Sequence, residues 1–513
     1  MSSTIHIRLV PLGVDLHVRV HTPLQDILFQ HGVEFPCGGK GRCKGCRVRV
    51  LEGMLPITDE ERNLLTEEER LAGWRLSCRH TAEADLTLHV AQWESAILAD
   101  ESLFTFTPRD GLGIAVDIGS TTLVAQLIDL STGTVRAVNT ALNHQARHGA
   151  DVMSRVGYGV TPTGRRMLVH LIRRQILTMI GKLLETIPTA QEELTDIVLV
   201  GNTVMHHLFC DFDLEPLSRY PFSSPHLGSW EVSPAQLGWE GIPHATVRVL
   251  PCIGGFVGSD ILAGILATRM YESEKLTGLI DLGTNGEIVI GDRRRMLCCS
   301  TAAGPAFEGA RIAMGMRAAT GAISRVGIRE GHLQAHIVGE GGVPRGICGS
   351  GLVDAVACAL DLELLQPSGR IPNPPHTVQL MDPVHLTQTD IRELQLAKAA
   401  IAAGTRILLR ELAASVDEID RVHLAGAFGN YISVASARRI GLLHIPADRV
   451  HPAGNTALLG AKVALFTDKK FVEDLAHSIT HVGLSAHPQF QDIYVEEMTF
   501  PPAMDGGQAT MLM

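Results

Sequence analysis

An α/β fold is predicted for this chain: a small strand-rich module at the N-terminus, followed by a larger core of two strand–helix repeats. Three observations predict it. Four of the ten cysteines, Cys37, Cys43, Cys46 and Cys78, are gathered near the N-terminus. A turn of the form Asp-x-Gly-Ser/Thr ends a strand at Asp117 and recurs 164 positions later at Asp281. With 513 residues, 51 glycines and 45% apolar residues, the chain exceeds what one core supports and suits compact domains rich in tight turns.

The N-terminal elements follow from alternation. Residues 4–10 and 14–20 alternate apolar and polar around Pro11-Leu-Gly13, as a hairpin does; 23–31 has a helical pattern, and 47–51 and 85–90 are strands. Between them lies Phe35-Pro-Cys-Gly-Gly-Lys-Gly-Arg-Cys-Lys-Gly-Cys46, a Cys-x5-Cys-x2-Cys loop, with Cys78 32 positions further on. Four thiolates suit a [2Fe–2S] cluster, each iron taking two, and Gly38, Gly39, Gly41 and Gly45 let backbone amides turn toward the sulfurs. A structural zinc site also accepts four cysteines but usually brings them in two close pairs, whereas three crowd one loop here. The element order is that of a β-grasp module, and the loop resembles the vertebrate and bacterial [2Fe–2S] ferredoxins, with one more residue between the first two cysteines than the plant type. Lys40, Arg42, Lys44 and Arg47 surround the loop, a charge that favours the reduced cluster and steers an acidic partner. Thr58-Asp-Glu-Glu-Arg62 and Thr66-Glu-Glu-Glu-Arg70 are acidic helical segments with Thr58 and Thr66 as N-caps, expected as a solvated face or a dock for a redox partner.

Composition bounds the partners. Forty-four basic against 55 acidic residues give a net charge of −11, which argues against nucleic acid. Residues 1–8 lack a basic head and apolar core, so no secretory signal is expected. The longest apolar stretch, 252–270, contains Asp260 and several glycines and serines, and is expected as a buried turn and helix, with no membrane partner. No disulfide framework is suggested, so the cytoplasm is the expected compartment. Cys210, Cys252, Cys298, Cys299, Cys348 and Cys358 sit in apolar surroundings and are expected to be buried and inert, a second metal site being the alternative.

After a connector at 96–111 the pattern changes. Residues 113–117 form a strand ending in Asp117-Ile-Gly-Ser-Thr-Thr122, 123–130 return as its partner, 165–186 form a long helix, and 196–200 a buried strand stopped by Gly201-Asn202. The motif recurs as strand 277–281, Asp281-Leu-Gly-Thr-Asn-Gly-Glu287, strand 288–290 and a turn at Gly291-Asp292. Such hairpins offer inward amides and hydroxyls to phosphate oxygens: Ser120, Thr121 and Thr122 in the first, Gly283, Thr284 and Asn285 in the second. Asp117 and Asp281, at the strand ends, are placed to fix Mg²⁺ or its waters. Gly346-Ile-Cys-Gly-Ser-Gly351 precedes an apolar helix at 352–360, so Gly349 and Ser350 can face an anion. Strand Val422-His-Leu-Ala-Gly-Ala-Phe-Gly429 runs into a glycine turn where Gly426, Ala427 and Gly429 let a flat base approach the backbone. Either glycine patch alone is equally explained by close helix packing. No P-loop or dinucleotide fingerprint competes.

These turns and patches resemble the acetate kinase, sugar kinase, heat-shock chaperone and actin superfamily. More narrowly, nearly the whole chain resembles the reductive activators of corrinoid-dependent enzymes, in which a [2Fe–2S] ferredoxin domain precedes that ATPase core. The resemblance is carried by Gly149-Ala-Asp-Val-Met-Ser-Arg155, Val200-Gly-Asn-Thr-Val-Met-His-His207, Gly254-Gly-Phe-Val-Gly-Ser-Asp260, Thr301-Ala-Ala-Gly-Pro-Ala-Phe-Glu-Gly309, Arg392-Glu-Leu-Gln-Leu-Ala-Lys-Ala399 and Gly454-Asn-Thr456. It implies a β-grasp domain at 1–95, a connector at 96–111, and two actin-like (ribonuclease H-like) lobes at 112–275 and 276–513. Longer members carry a linker and a small middle domain for which this chain shows no room. Ser120 stands where threonine is commoner, and Asn143-His-Gln145 where a proline is expected. The implied function is ATP-dependent return of a corrinoid protein from Co(II) to Co(I) by one electron from the cluster, with ATP biasing a two-lobed hinge and an external ferredoxin or reductase as donor. A homodimer is compatible with the sequence. A small-molecule kinase with a fused ferredoxin, and a redox- or nucleotide-sensing binding protein, are the rival functions.

Overall fold

The computed structural model describes residues 4–10, 13–29, 46–90, 106–149, 151–187, 190–242, 244–283, 285–309, 311–316, 318, 321–338, 343–429 and 432–502. The hairpin β1 (Thr4–Val10) and β2 (Val14–Arg19) leads to helix α1 (Leu24–Phe29), then β3 (Arg47–Glu52), helices α2 (Asp59–Leu64) and α3 (Glu67–Leu71), and strands β4 (Trp74–Leu76) and β5 (Leu86–Val90). The sheet order is β2-β1-β5-β3-β4, with β1 and β5 parallel. Alternation decides its faces: Ile7, Leu9, Val48, Leu88 and Val90 point inward with no exposed surface. Each such side chain contributes about 1.5–3 kcal/mol relative to exposure.

The first half of the core begins with three antiparallel strands, β6 (Leu112–Ile118), β7 (Thr122–Asp129) and β8 (Val135–Leu142). Helices α4 (Val152–Gly159) and α5 (Pro162–Leu184) follow, then β9 (Leu194–Gly201), α6 (Thr203–Cys210), β10 (Trp230–Val232), β11 (Thr246–Val249) and α7 (Ser259–Thr268). The sheet order is β8-β7-β6-β9-β11-β10. The second half repeats the plan with β12 (Thr277–Leu282), β13 (Gly286–Gly291) and β14 (Met296–Thr301), then α8 (Gly349–Asp361), α9 (Gln388–Glu411), β15 (Arg421–Ala425), α10 (Val434–Arg439) and β16 (Val450–Gly454). Here too the first strand lies between its hairpin partner and a parallel strand, in the run β16-β15-β12-β13-β14. The repeat expected from two Asp turns is therefore a repeat of sheet topology.

Two compact units result, and the chain does not divide between them at one point. One unit runs to Tyr271 and regains Asn455–His481; the other comprises Glu272–Gly454 and the chain from Val482. Helix α11 (Thr456–Ala464) belongs with α7 because Gly460 lets the backbones meet: a Cβ there would stand 1.8 Å from the Ala263 carbonyl oxygen. The stretch 252–270 is, as expected, a buried turn and helix. Among the described residues no helix is long and apolar enough to cross a membrane.

Candidate functional site: a cysteine loop and two aspartate turns

Of the four clustered cysteines, Cys46 and Cys78 fall among the described residues; Cys37, Cys43 and the rim residues Lys40, Arg42 and Lys44 lie outside them. Cys46 and Cys78 are buried, at 1% and 7% exposure. Their segments are tied together: the Ser77 N–H and hydroxyl both donate to the Cys46 carbonyl, at 3.1 and 2.8 Å. Thr58 and Thr66 cap α2 and α3 as expected, each in a capping box. The acidic stretch is not wholly a solvated face, however. Glu61 has no exposed surface. One oxygen accepts the Thr58 N–H at 2.9 Å, while the other accepts the Leu76 N–H at 2.6 Å and meets His80 Nε2 at 2.8 Å. Burial alone would raise this carboxyl, but the contacts with His80, Thr58 and Leu76 outweigh it and hold Glu61 below its ordinary value. Leu76 and His80 bracket Cys78, so Glu61 fixes the turn that presents this thiol. Glu60 reinforces it through Arg79 at 2.9 Å. Arg47 is engaged by Glu69 at 3.2 Å and lies 5.1 Å over the Trp74 ring. Two buried cysteines, one just before β3 and one just after β4, with their segments hydrogen-bonded to each other, fit the thiolate set of a [2Fe–2S] cluster.

Asp117 ends β6, and Asn455 donates Nδ2 to its Oδ2 at 2.9 Å. Burial pushes the Asp117 carboxyl up to about 6, with the Asn455 hydrogen bond working against that rise. Asn455 also accepts the Leu458 N–H at 2.8 Å, capping α11. Ser120 and Thr121 form the tip of the hairpin and Thr122 opens β7. The three hydroxyls have no protein partner among the described residues, which leaves them open to a ligand. Local sequence does not assign Asn455 to the site, because its partner is 338 positions away.

In the second unit Asp281 pairs with Glu287 across the hairpin and with Ala425 on the parallel strand β15. Gly426, at φ 83°, follows at once, and a Cβ on it would stand 2.5 Å from Asp281 Oδ1. Only glycine permits that approach. The Gly283 N–H donates to the Asn285 carbonyl at 3.0 Å, while Thr284 lies outside the described residues. Gly426–Gly429, the expected glycine turn, is one turn of helix. Its Phe428 ring stacks on Phe307 at 4.8 Å, and Phe428 also borders Gly349. The second turn and both glycine patches are thus brought together. Two expectations narrow here. A Cβ at Gly349 would stand 1.8 Å from the Phe307 carbonyl oxygen and one at Gly351 2.2 Å from that of Ile323, so close packing itself demands these glycines. Ser350 donates its hydroxyl to the Ser324 carbonyl at 3.0 Å and is buried, which leaves its backbone, not its side chain, for a ligand.

The other cysteines are buried as expected. Burial pushes the Cys252 and Cys358 thiols up to about 12 and raises Cys210, Cys298 and Cys299 as well, so they stay protonated and inert. Among the described residues no three histidine, cysteine or carboxylate groups are arranged to hold a metal ion.

Family models match in sequence along the chain: a 2Fe-2S iron-sulfur cluster binding domain at 8–83, the RACo middle region at 112–273, and the C-terminal domain of RACo, the ASKHA domain, at 275–508. The model named for the middle region covers the segment assigned to the first lobe. The corrinoid activation enzyme RamQ of Eubacterium limosum is 32% identical over 76% of this chain and 70% of its own length. The [Co(II) methylated amine-specific corrinoid protein] reductase of Methanosarcina barkeri is 26% identical over 76% and 77%. A solved reductive activator for a corrinoid, iron-sulfur protein superposes with a TM-score of 0.66 at 28% identity, covering 97% of this chain and 98% of that one. Joined to the ferredoxin-type sheet and the repeated aspartate turns, these likenesses show that the chain belongs to the RACo family of corrinoid activation enzymes.

Proposed function

We propose that this protein restores a corrinoid protein from Co(II) to Co(I) by one-electron transfer coupled to ATP, and so supports methyl transfer. The observation that carries the proposal is the presence in one chain of a buried cysteine pair on a β-grasp sheet and two topologically equivalent Asp-x-Gly turns. RamQ is a corrinoid activation enzyme, and the Methanosarcina barkeri relative is a reductase of a Co(II) corrinoid protein. A [2Fe–2S] cluster bound by Cys37, Cys43, Cys46 and Cys78 supplies one-electron storage. Glu61 and Ser77 hold two of those ligand segments in place.

ATP is assigned to the turns. Asp117 and Asp281 would hold Mg²⁺ or its waters; Ser120, Thr121, Thr122, Gly283, Thr284 and Asn285 would bind phosphate; the backbone at Gly349, Ser350, Gly426, Ala427 and Gly429 would border the nucleoside. Coupling to ATP is needed because moving one electron uphill by about 100 mV costs about 2.3 kcal/mol. With no flavin or nicotinamide motif in the sequence, electrons come from an external ferredoxin or reductase. The domains are taken as 1–95, 96–111, 112–275 and 276–513, with 455–481 returning to the first unit.

The test mixes anaerobically purified protein, a Co(II) corrinoid protein, a chemical reductant and Mg-ATP, and follows Co(I) by absorbance. Wild type should form Co(I) only with ATP, with ATP turnover stimulated by the corrinoid protein. Asp117→Ala and Asp281→Ala should lose both while keeping the paramagnetic resonance signal of the reduced cluster. ATP-independent Co(I) formation at the same rate would overturn the coupling, and phosphorylation of a small molecule in place of Co(I) would make this a kinase.

A further inference from the structure

The carbonyl oxygens of the first aspartate turn are held from behind by two residues that carry no assigned role. Asn143 donates Nδ2 to the Gly119 carbonyl at 3.0 Å and its backbone N–H to the Thr121 carbonyl at 2.9 Å. Between them, the Arg155 guanidinium donates Nη2 to the Ser120 carbonyl. A trans peptide is planar, so each carbonyl and the following N–H point in opposite directions. Capturing the Gly119 and Ser120 carbonyls therefore turns the N–H groups of Ser120 and Thr121 away from Asn143 and Arg155. Neither N–H has a backbone acceptor among the described residues. Consecutive amides so directed form an anion-binding concavity.

Arg155 reaches this place because Asp151 caps α4, accepting the Ser154 N–H at 2.8 Å, and sets Arg155 on the buried face with Val152, Val156 and Gly159. The side chain has no exposed surface. Its Nε donates to the Gly149 carbonyl at 2.9 Å, and Nη1 lies 3.3 Å from Met205 Sδ and 3.5 Å from Gln145 Oε1. Gly149 leaves the room, since a Cβ there would stand 2.7 Å from the Arg155 nitrogen. Burial lowers the guanidinium to about 10, with Asp151 opposing, so it remains charged at neutral pH. Its hydrogen-bond partners among the described residues are all neutral, and the Asp151 carboxylate offsets its burial only in part. A buried cation with neutral partners is costly unless an anion compensates it, and the turn it supports is where an anion would sit.

We propose that Asn143 and Arg155 are positioning residues that hold residues 119–121 in the anion-binding orientation, the Arg155 charge acting as a fixed counter-charge behind a bound polyphosphate. The proposal rests on assigning the Asp117 turn to nucleotide phosphate. Its test measures the full-length, cluster-loaded protein by calorimetry with the imidotriphosphate analogue of ATP and Mg²⁺, and by competition with adenosine, which has no phosphate. Arg155→Met should weaken the triphosphate at least tenfold and adenosine less than twofold. Arg155→Lys should fall between Arg155→Met and wild type, and Asn143→Ala should cost about threefold on the triphosphate alone. A purely structural role would weaken both ligands alike. If Arg155→Met loses its cluster absorbance, Asn143→Ala and Arg155→Lys decide by the same ratio. Wild type that binds the triphosphate, with variants that keep its preference over adenosine within twofold, overturns this proposal alone. Wild type that binds neither ligand overturns the phosphate assignment together with it.

Discussion

Glu61 shows how one side chain can serve two scales of structure. Its backbone lies in a capping box that any helix could use, yet its second oxygen leaves the helix to hold Leu76 and His80 around Cys78. Removing a buried acceptor of a backbone N–H costs about 1–3 kcal/mol. Glu61→Ala should therefore lower the unfolding free energy from urea titration by that order and reduce iron per chain, because the Cys78 turn loses its anchor. Glu61→Gln retains an acceptor and should keep most of the iron. Visible absorbance per chain checks both; full occupancy in Glu61→Ala would show that the cluster organises the turn unaided.

At the scale of elements, the glycines separate into those that packing requires and those it does not. Helices α7 and α11 meet where Gly460 leaves no room, so Gly460→Ala must push the helices apart. Overpacking of this kind costs about 1–3 kcal/mol. Gly157 in α4 has nothing within 4 Å of the position a Cβ would take. Alanine there removes backbone freedom from the unfolded chain and should stabilise by about 0.5–1 kcal/mol. Thermal unfolding of the two variants should move in opposite directions, and a stabilised Gly460→Ala would contradict the close approach of the helices.

For the whole molecule, buried histidines set the response to acid. Burial holds His206 down to about 3, and His207 and His423 to about 4, in the folded state. Their unfolded forms bind protons near pH 6.5, so as pH falls below that value the unfolded chain gains protons that the folded chain refuses. Stability is then lost by up to about 1.4 kcal/mol per pH unit for each histidine. Glu497 acts in the adjoining window. Burial raises it, but His444, Arg406 and Lys398 bring it to about 2, so its contribution is present above pH 4.5 and is lost as pH falls toward 2. Urea midpoints by tryptophan fluorescence under argon should fall steadily from pH 7 to pH 5; a flat profile would mean that the histidines are protonated in the fold.

Order along the chain is enough to specify the parts that depend on near neighbours. Cysteine spacing, the threonine caps of α2 and α3, the strand-ending aspartates and the helix within 252–270 all rest on hydrogen bonds or periodicities spanning a few residues, which composition and order express directly. The repeat of topology was legible for the same reason, since two similar local turns imply two similar hairpins. Long-range packing is what turns Glu61 inward, brings Asn455 to Asp117, sets Arg155 under Ser120, and returns Asn455–His481 to the first unit. Packing, not a ligand contact, also claimed Gly351 and the Ser350 hydroxyl. Each of these joins residues far apart in the chain, or selects between solvent and interior for one polar group. That selection depends on which partners the completed fold brings within hydrogen-bond reach, and no local pattern encodes it.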